Sequence, residues 1–92
     1  MLGFATTAKF RKDRKLMKKQ GKDLSLLDAV IAKLRNKEQL EPKYRDHQLN
    51  GNFARLRECH ILPDWLLIYI IDNGKLVLTA SRTGSHSDLY KK

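Results

Sequence analysis

The sequence predicts an α+β fold, a helical hairpin packed on a mainly antiparallel four-stranded sheet in the order β-α-α-β-β-β. Three observations predict it. Leu24, Leu27, Val30, Ile31 and Leu34 recur at helical spacing in the first half of the chain. Strand-like apolar runs fill the second half, with Asp72-Asn73-Gly74 as a hairpin signal between the last two. Pro42 lies between the halves and stops helical structure.

Leu2-Gly3-Phe4-Ala5 reads as a short first strand. A basic helix follows from about Thr6 or Thr7 to Gln20. Phe10, Arg14 and Met17 form its narrow stripe, and Lys9, Arg11, Lys12, Lys15, Lys18 and Lys19 cover the rest. Gly21 ends it, because glycine tolerates positive φ. Asp23 is placed to cap the next helix. That helix is the clearest amphipathic element. Burying each of its apolar side chains is worth roughly 1.5–3 kcal/mol, so it anchors the core. The short Gly21-Lys22 link folds the two helices back antiparallel.

Glu41 to Phe53 is polar, with Asn50-Gly51 as a turn. Strands are expected at about Ala54–Cys59, Trp65–Ile71 and Lys75–Ser81. In the middle one, alternation sends Leu66, Ile68 and Ile70 to the face expected to meet the helices. Trp65, Leu67, Tyr69 and Ile71 go to the other face, an apolar surface whose aromatics suit base stacking. Leu56, Glu58 and His60 share a phase, which directs His60 inward. A strand that ends or bulges near Cys59 would free it. Tyr90-Lys91-Lys92 is too short to form a separate tail.

A chain of 92 residues, 41% hydrophobic and 32% charged, makes one small globular domain spanning 1–92. Its net charge of +9 favours an anionic partner: RNA, DNA, an acidic protein or a membrane surface. Charge does not choose among them. The single cysteine, Cys59, rules out an intrachain disulfide and fits a reducing compartment. No apolar run approaches the roughly 20 residues of a transmembrane helix, and the first residues lack a signal-peptide core. A cytoplasmic protein with no membrane partner is expected.

Three histidines carry the chemistry. His47 lies in Asp46-His47-Gln48-Leu49-Asn50-Gly51, His60 follows Glu58-Cys59, and His86 closes Arg82-Thr83-Gly84-Ser85-His86. Histidine gives or takes a proton at neutral pH. Several in a strongly basic small protein point to metal-free cleavage of RNA. The histidines and Cys59 are also metal-ligand types, but no close H-x3-H or C-x2-C pair is present, and neither a metal nor a cofactor is expected.

The element order resembles the YafQ-type toxins of the RelE superfamily. So do three segments: Asp46 to Gly51, Arg57-Glu58-Cys59-His60-Ile61-Leu62-Pro63-Asp64-Trp65-Leu66-Leu67-Ile68-Tyr69, and Arg82 to Tyr90. The resemblance covers nearly the whole chain. It implies a bacterial endoribonuclease that binds the ribosomal A site and cuts messenger RNA. The ribose 2′-OH attacks the adjacent phosphate, leaving a 2′,3′-cyclic phosphate and a 5′-OH. It also implies a cognate antitoxin, DinJ-like and of the ribbon-helix-helix type. That antitoxin blocks the toxin, and operator DNA is met only as the toxin–antitoxin complex.

The resemblance places His47, His60, Asp64 and His86 in the active site. His86 is assigned as general acid, and the base is left among Asp64, His47 and His60. The plainer alternative for each histidine is an ordinary surface side chain. Trp65 and Tyr90 match aromatics near the RNA, with core packing as their alternative; the familiar residue at the position of Tyr90 is phenylalanine. Arg82 is a candidate to brace the scissile phosphate, against a strand-end salt bridge with Asp88. Arg55 and Arg57 alternate with Leu56 and are expected to face away from the core, as RNA contacts or as solvated charge. The lysines of the first helix are expected as a group on ribosomal RNA phosphates, while any one of them reads first as a plain solubilising surface charge. Glu58 receives no role, and Cys59 a structural one. The competing functions are a non-catalytic nucleic-acid-binding module and an antitoxin-binding module.

Overall fold

The computed structural model describes residues 1–90; Lys91 and Lys92, the end of the short tail, lie outside them. A first strand, β1 (Gly3–Thr6), leads into α1 (Ala8–Lys19) and α2 (Leu24–Arg35). The second half holds β2 (His47–Gln48), β3 (Arg57–Leu62), β4 (Trp65–Asp72), β5 (Val77–Gly84) and a short α3 (His86–Leu89). Single 3₁₀ turns at Pro42–Tyr44 and Gly51–Phe53 flank β2.

The sheet has five strands in the order β1-β5-β4-β3-β2. Only β1 with β5 is parallel. The strand missed in the sequence is β2, whose two residues are too few to show a period. The helix starts follow the sequence closely. Thr7 Oγ1 accepts the Phe10 N–H at 3.0 Å, and Asp23 Oδ1 accepts the Ser25 N–H at 3.0 Å. Gly21 takes φ 80° where α1 ends. Arg14 reaches Asp28 at 3.1 Å and ties the two helices.

Two strands, β3 and β5, begin and end later than expected. β3 begins at Arg57, because Gly51, at φ 64°, starts a turn that runs through Ala54. β5 begins at Val77, because Asp72 Oδ1 accepts the N–H groups of both Gly74 and Lys75. The left-handed residue that closes this turn is Leu76, at φ 56°, rather than Gly74.

The faces of the sheet are also reversed. Trp65, Leu67 and Tyr69 join Leu78, Ala80, Cys59 and Ile61 against the helices. Leu66 and Ile68 are buried on the opposite, outer face. Both phases of β4 are apolar, so alternation alone cannot choose between them. The neighbouring strands decide it, since their apolar residues pair in register with Leu67 and Tyr69. Thus β3 runs straight through Cys59, and His60 points outward on an unbroken strand. The register shift falls later, between His60 and Leu62. Among the described residues no helix is long and apolar enough to cross a membrane.

Candidate active site

Register builds the site. His47 pairs with Glu58, Glu58 with Ile68, and Ile68 with Arg82. These residues therefore form one row across four strands. In antiparallel pairs, opposed side chains share a face, and neighbouring strands lie about 4.8 Å apart. Arg82 thus starts about 10 Å from Glu58, with Ile68 as the floor between them. One step along, His60 pairs with Leu66 and Leu66 with Gly84. The outer face therefore presents two imidazoles, a carboxylate and a guanidinium around an apolar floor.

Glu58 is the hub. Its side chain is 5% exposed. His47 Nε2 and His60 Nε2 each lie 3.6 Å from its Oε1. The Tyr90 hydroxyl donates to its Oε2. Partial burial, and then this hydrogen bond to a carboxylate, push the Tyr90 phenol above its ordinary range. His47 Nδ1 lies 2.7 Å from the Arg45 carbonyl oxygen, and His60 Nδ1 lies 3.2 Å from that of Pro63. Carbonyls only accept, so both Nδ1 atoms carry protons. The two Nε2 atoms then face one carboxylate. Two neutral rings would turn lone pairs toward it, whereas a protonated ring turns a donor. Either ring can therefore donate from Nε2 to Glu58 when it carries a second proton.

The third histidine comes from above the sheet. β5 ends at Gly84, whose φ of 157° lets the chain turn tightly against Leu89 and Asp88. Ser85 caps α3 by accepting the Asp88 N–H at 3.1 Å. Asp64, in the β3–β4 turn, accepts the His86 N–H at 3.2 Å. The exposed His86 ring packs on Tyr90, with centroids 4.9 Å apart and a 38° tilt. Tyr90 thus touches His86 with its face and Glu58 with its hydroxyl.

The structure therefore brings His47, His60, Asp64, His86 and Tyr90 together, and Arg82 flanks them. It does not place Trp65 with them. Trp65 is 1% exposed on the helix side, and its indole N–H donates to Thr83 Oγ1 at 2.9 Å. Arg57 is likewise displaced. It lies beside Tyr69 on the helix side, bound to Asp46 at 3.2 Å and to the Tyr69 hydroxyl at 3.3 Å. Arg55 is exposed in the turn before β3. Arg82 is paired with Asp13 of α1 rather than with Asp88, and that carboxylate raises the guanidinium above its ordinary range. Glu58, at the centre of this cluster, is the residue that sequence reasoning missed. Its signal was present: Glu58 and His60 are two apart on a strand and so share a face. Among the described residues no group of three or more His, Cys, Asp or Glu side chains is arranged to hold a metal ion.

Comparison with known proteins gives one result throughout. A family model described as "Bacterial toxin of type II toxin-antitoxin system, YafQ" matches residues 2–91. The mRNA interferase toxin YafQ of Escherichia coli strain K12 is 35% identical over 85 residues, covering 91% of this chain and 90% of that protein. A metal-bound toxin from Helicobacter pylori superposes with a TM-score of 0.93 at 46% identity, covering 98% of this chain and all of the other. The toxin in an E. coli DinJ–YafQ complex superposes with a TM-score of 0.89 at 33% identity, over 98% and 99% of the two chains.

Proposed function

The chain belongs to the YafQ family of bacterial type II toxins, and from that footing we propose that it is a cytoplasmic endoribonuclease that cuts mRNA in the ribosomal A site. One observation carries this reading. Two histidines from distant segments meet a buried carboxylate on one face of the sheet, and the third packs on the tyrosine whose hydroxyl donates to that carboxylate. A binding module has no use for two imidazoles that share one carboxylate.

In this reading the ribose 2′-oxygen attacks the adjacent phosphorus, and the bond to the 5′-oxygen breaks. His47, half exposed, takes the 2′-OH proton at Nε2. Glu58 Oε1 faces that same Nε2 at 3.6 Å and stabilises the imidazolium that forms, while the Arg45 carbonyl holds a proton on Nδ1. His60 and the Arg82 guanidinium face the phosphorane, and the guanidinium offsets its charge. His86 protonates the departing 5′-oxygen. Its ring has no hydrogen-bond partner among the described residues and is free to reach the leaving group. Asp64 acts by holding the His86 backbone rather than as a base. Tyr90, 39% exposed, offers its ring to a base, where stacking is worth about 1–3 kcal/mol. Arg55 and the lysines of α1 contact RNA phosphates. The buried Trp65 and the Asp46-bound Arg57 support the fold instead.

A DinJ-like antitoxin is the expected neutralising partner, since the E. coli relative is found in complex with DinJ. Operator DNA is then met only through that complex.

The test maps mRNA 5′ ends in a reconstituted bacterial translation reaction, with and without ribosomes, for the wild type and His86→Ala. Codon-phased cuts that require ribosomes and vanish in the variant are expected. Cuts without ribosomes would make the protein a free ribonuclease. Absence of cuts from folded protein would leave a binding module as the better account.

A further inference from the structure

β1 runs beside β5 only as far as the Thr6–Ala80 pair, yet β5 continues to Gly84. The start of α1 takes over that open edge. The Thr7 N–H donates to the Ala80 carbonyl at 3.1 Å, and the Thr7 hydroxyl to the Ser81 carbonyl at 2.6 Å. Less than two helical turns later comes Asp13. Its carboxylate accepts the Thr83 N–H at 3.2 Å, Arg82 Nε at 2.7 Å and Arg82 Nη2 at 3.2 Å. Asp13 is 14% exposed, so these three donors fix it.

Nε and one N–H of Nη2 form one edge of the guanidinium. Nη1 and the other N–H of Nη2 form the second edge, which has no partner among the described residues. That free edge is a two-donor fork of the kind that matches two phosphate oxygens. Fixing the first edge sets the direction of the second. The same carboxylate holds Thr83, three residues before His86. A single side chain from the first half of the chain thus governs a phosphate fork and the strand end that carries the acid.

We infer that Asp13 is a positioning residue for RNA cleavage, aiming the free edge of Arg82 at the scissile phosphate. The inference rests on the ribonuclease reading above. Asp13→Asn tests it, because the amide oxygen still accepts the Thr83 N–H while the charged grip on Arg82 is lost. Single-turnover cleavage of mRNA on programmed ribosomes, at saturating protein, is measured for wild type, Asp13→Asn, Arg82→Ala and the double variant. Urea denaturation of each gives the folded fraction. Asp13→Asn is expected to lower the rate by about ten- to a hundredfold, the range of a misaimed group. Added to Arg82→Ala it should change the rate by no more than about twofold, because the residue it aims is gone. If Asp13→Asn does not fold, Asp13→Glu, which keeps the charge and moves it by one methylene, should show a smaller loss with the same dependence on Arg82. A wild-type rate in Asp13→Asn, or a loss that multiplies fully onto Arg82→Ala, overturns the role of Asp13 and leaves the ribonuclease reading standing. A wild type that cuts nothing overturns both.

Discussion

Trp65→Phe separates a core tryptophan from an RNA-stacking one. The indole is 1% exposed, donates to Thr83 Oγ1 at 2.9 Å, and that hydroxyl donates in turn to the Leu66 carbonyl at 2.7 Å. Phenylalanine keeps the aromatic packing but lacks two ring carbons and the ring N–H. The lost hydrogen bond costs about 1 kcal/mol. The two carbons, at roughly 0.8 kcal/mol for each buried methylene-sized group, add about 1.6 kcal/mol. The sum is about 2.5 kcal/mol. In a domain of this size it lowers the melting temperature by about 10–20 °C. Urea and thermal unfolding measure the loss. Cleavage well below the new midpoint should stay within about threefold of wild type, since the ring lies on the side of the sheet away from the histidines. A variant as stable as wild type within about 0.5 kcal/mol, but at least tenfold slower, would refute the reasoning and return Trp65 to the RNA surface.

Other outcomes follow from the same geometry. Glu58→Gln keeps the shape of the hub and removes its charge; cleavage should fall by about 10²–10⁴-fold while urea stability changes by no more than about 2 kcal/mol, and a rate within threefold of wild type would remove Glu58 from the mechanism. Burial, followed by the nearby Asp46 and Glu58 carboxylates, pushes the Cys59 thiol up to about 12. Native protein at pH 8 should therefore resist a thiol reagent that labels it promptly in urea, and fast native labelling would contradict the burial. The folded-state thiol lies above its unfolded value of about 8.5, so its contribution to stability is complete below that pH and is lost as pH rises toward 12. The Tyr69 and Tyr90 phenols are raised as well and act in the same direction. The urea midpoint should accordingly decline between about pH 8.5 and pH 11; a flat profile would argue against these buried environments.

The sequence was most legible where local chemistry is decisive. Asp23, Gly21 and the apolar stripe of α2 specify their structure within a few residues, and each behaves as read. It was least legible where partners are distant. β4 is apolar on both faces, so its orientation waits on Cys59, Ile61, Leu78 and Ala80 from strands on either side. That one ambiguity displaced Trp65, reversed Arg57 and hid Glu58, which looked like a charge sharing a face with Leu56. The histidines were visible because their residue type has few other uses in a small basic chain. Asp13 was invisible, because nothing near it in α1 announces a partner 69 residues away.

β5 lies between β1 and β4, although β1 is made first and β5 nearly last. The β3–β4–β5 meander closes through short turns, whereas β1 docks only after a loop of some seventy residues has been closed. The meander and the adjoining β2 carry His47, Glu58 and His60, whereas the carboxylate that holds Arg82 comes from the first half of the chain. Asp13 is thus the contact that joins the cluster of the second half to the N-terminal elements, and β1 and α1 bring it to Arg82.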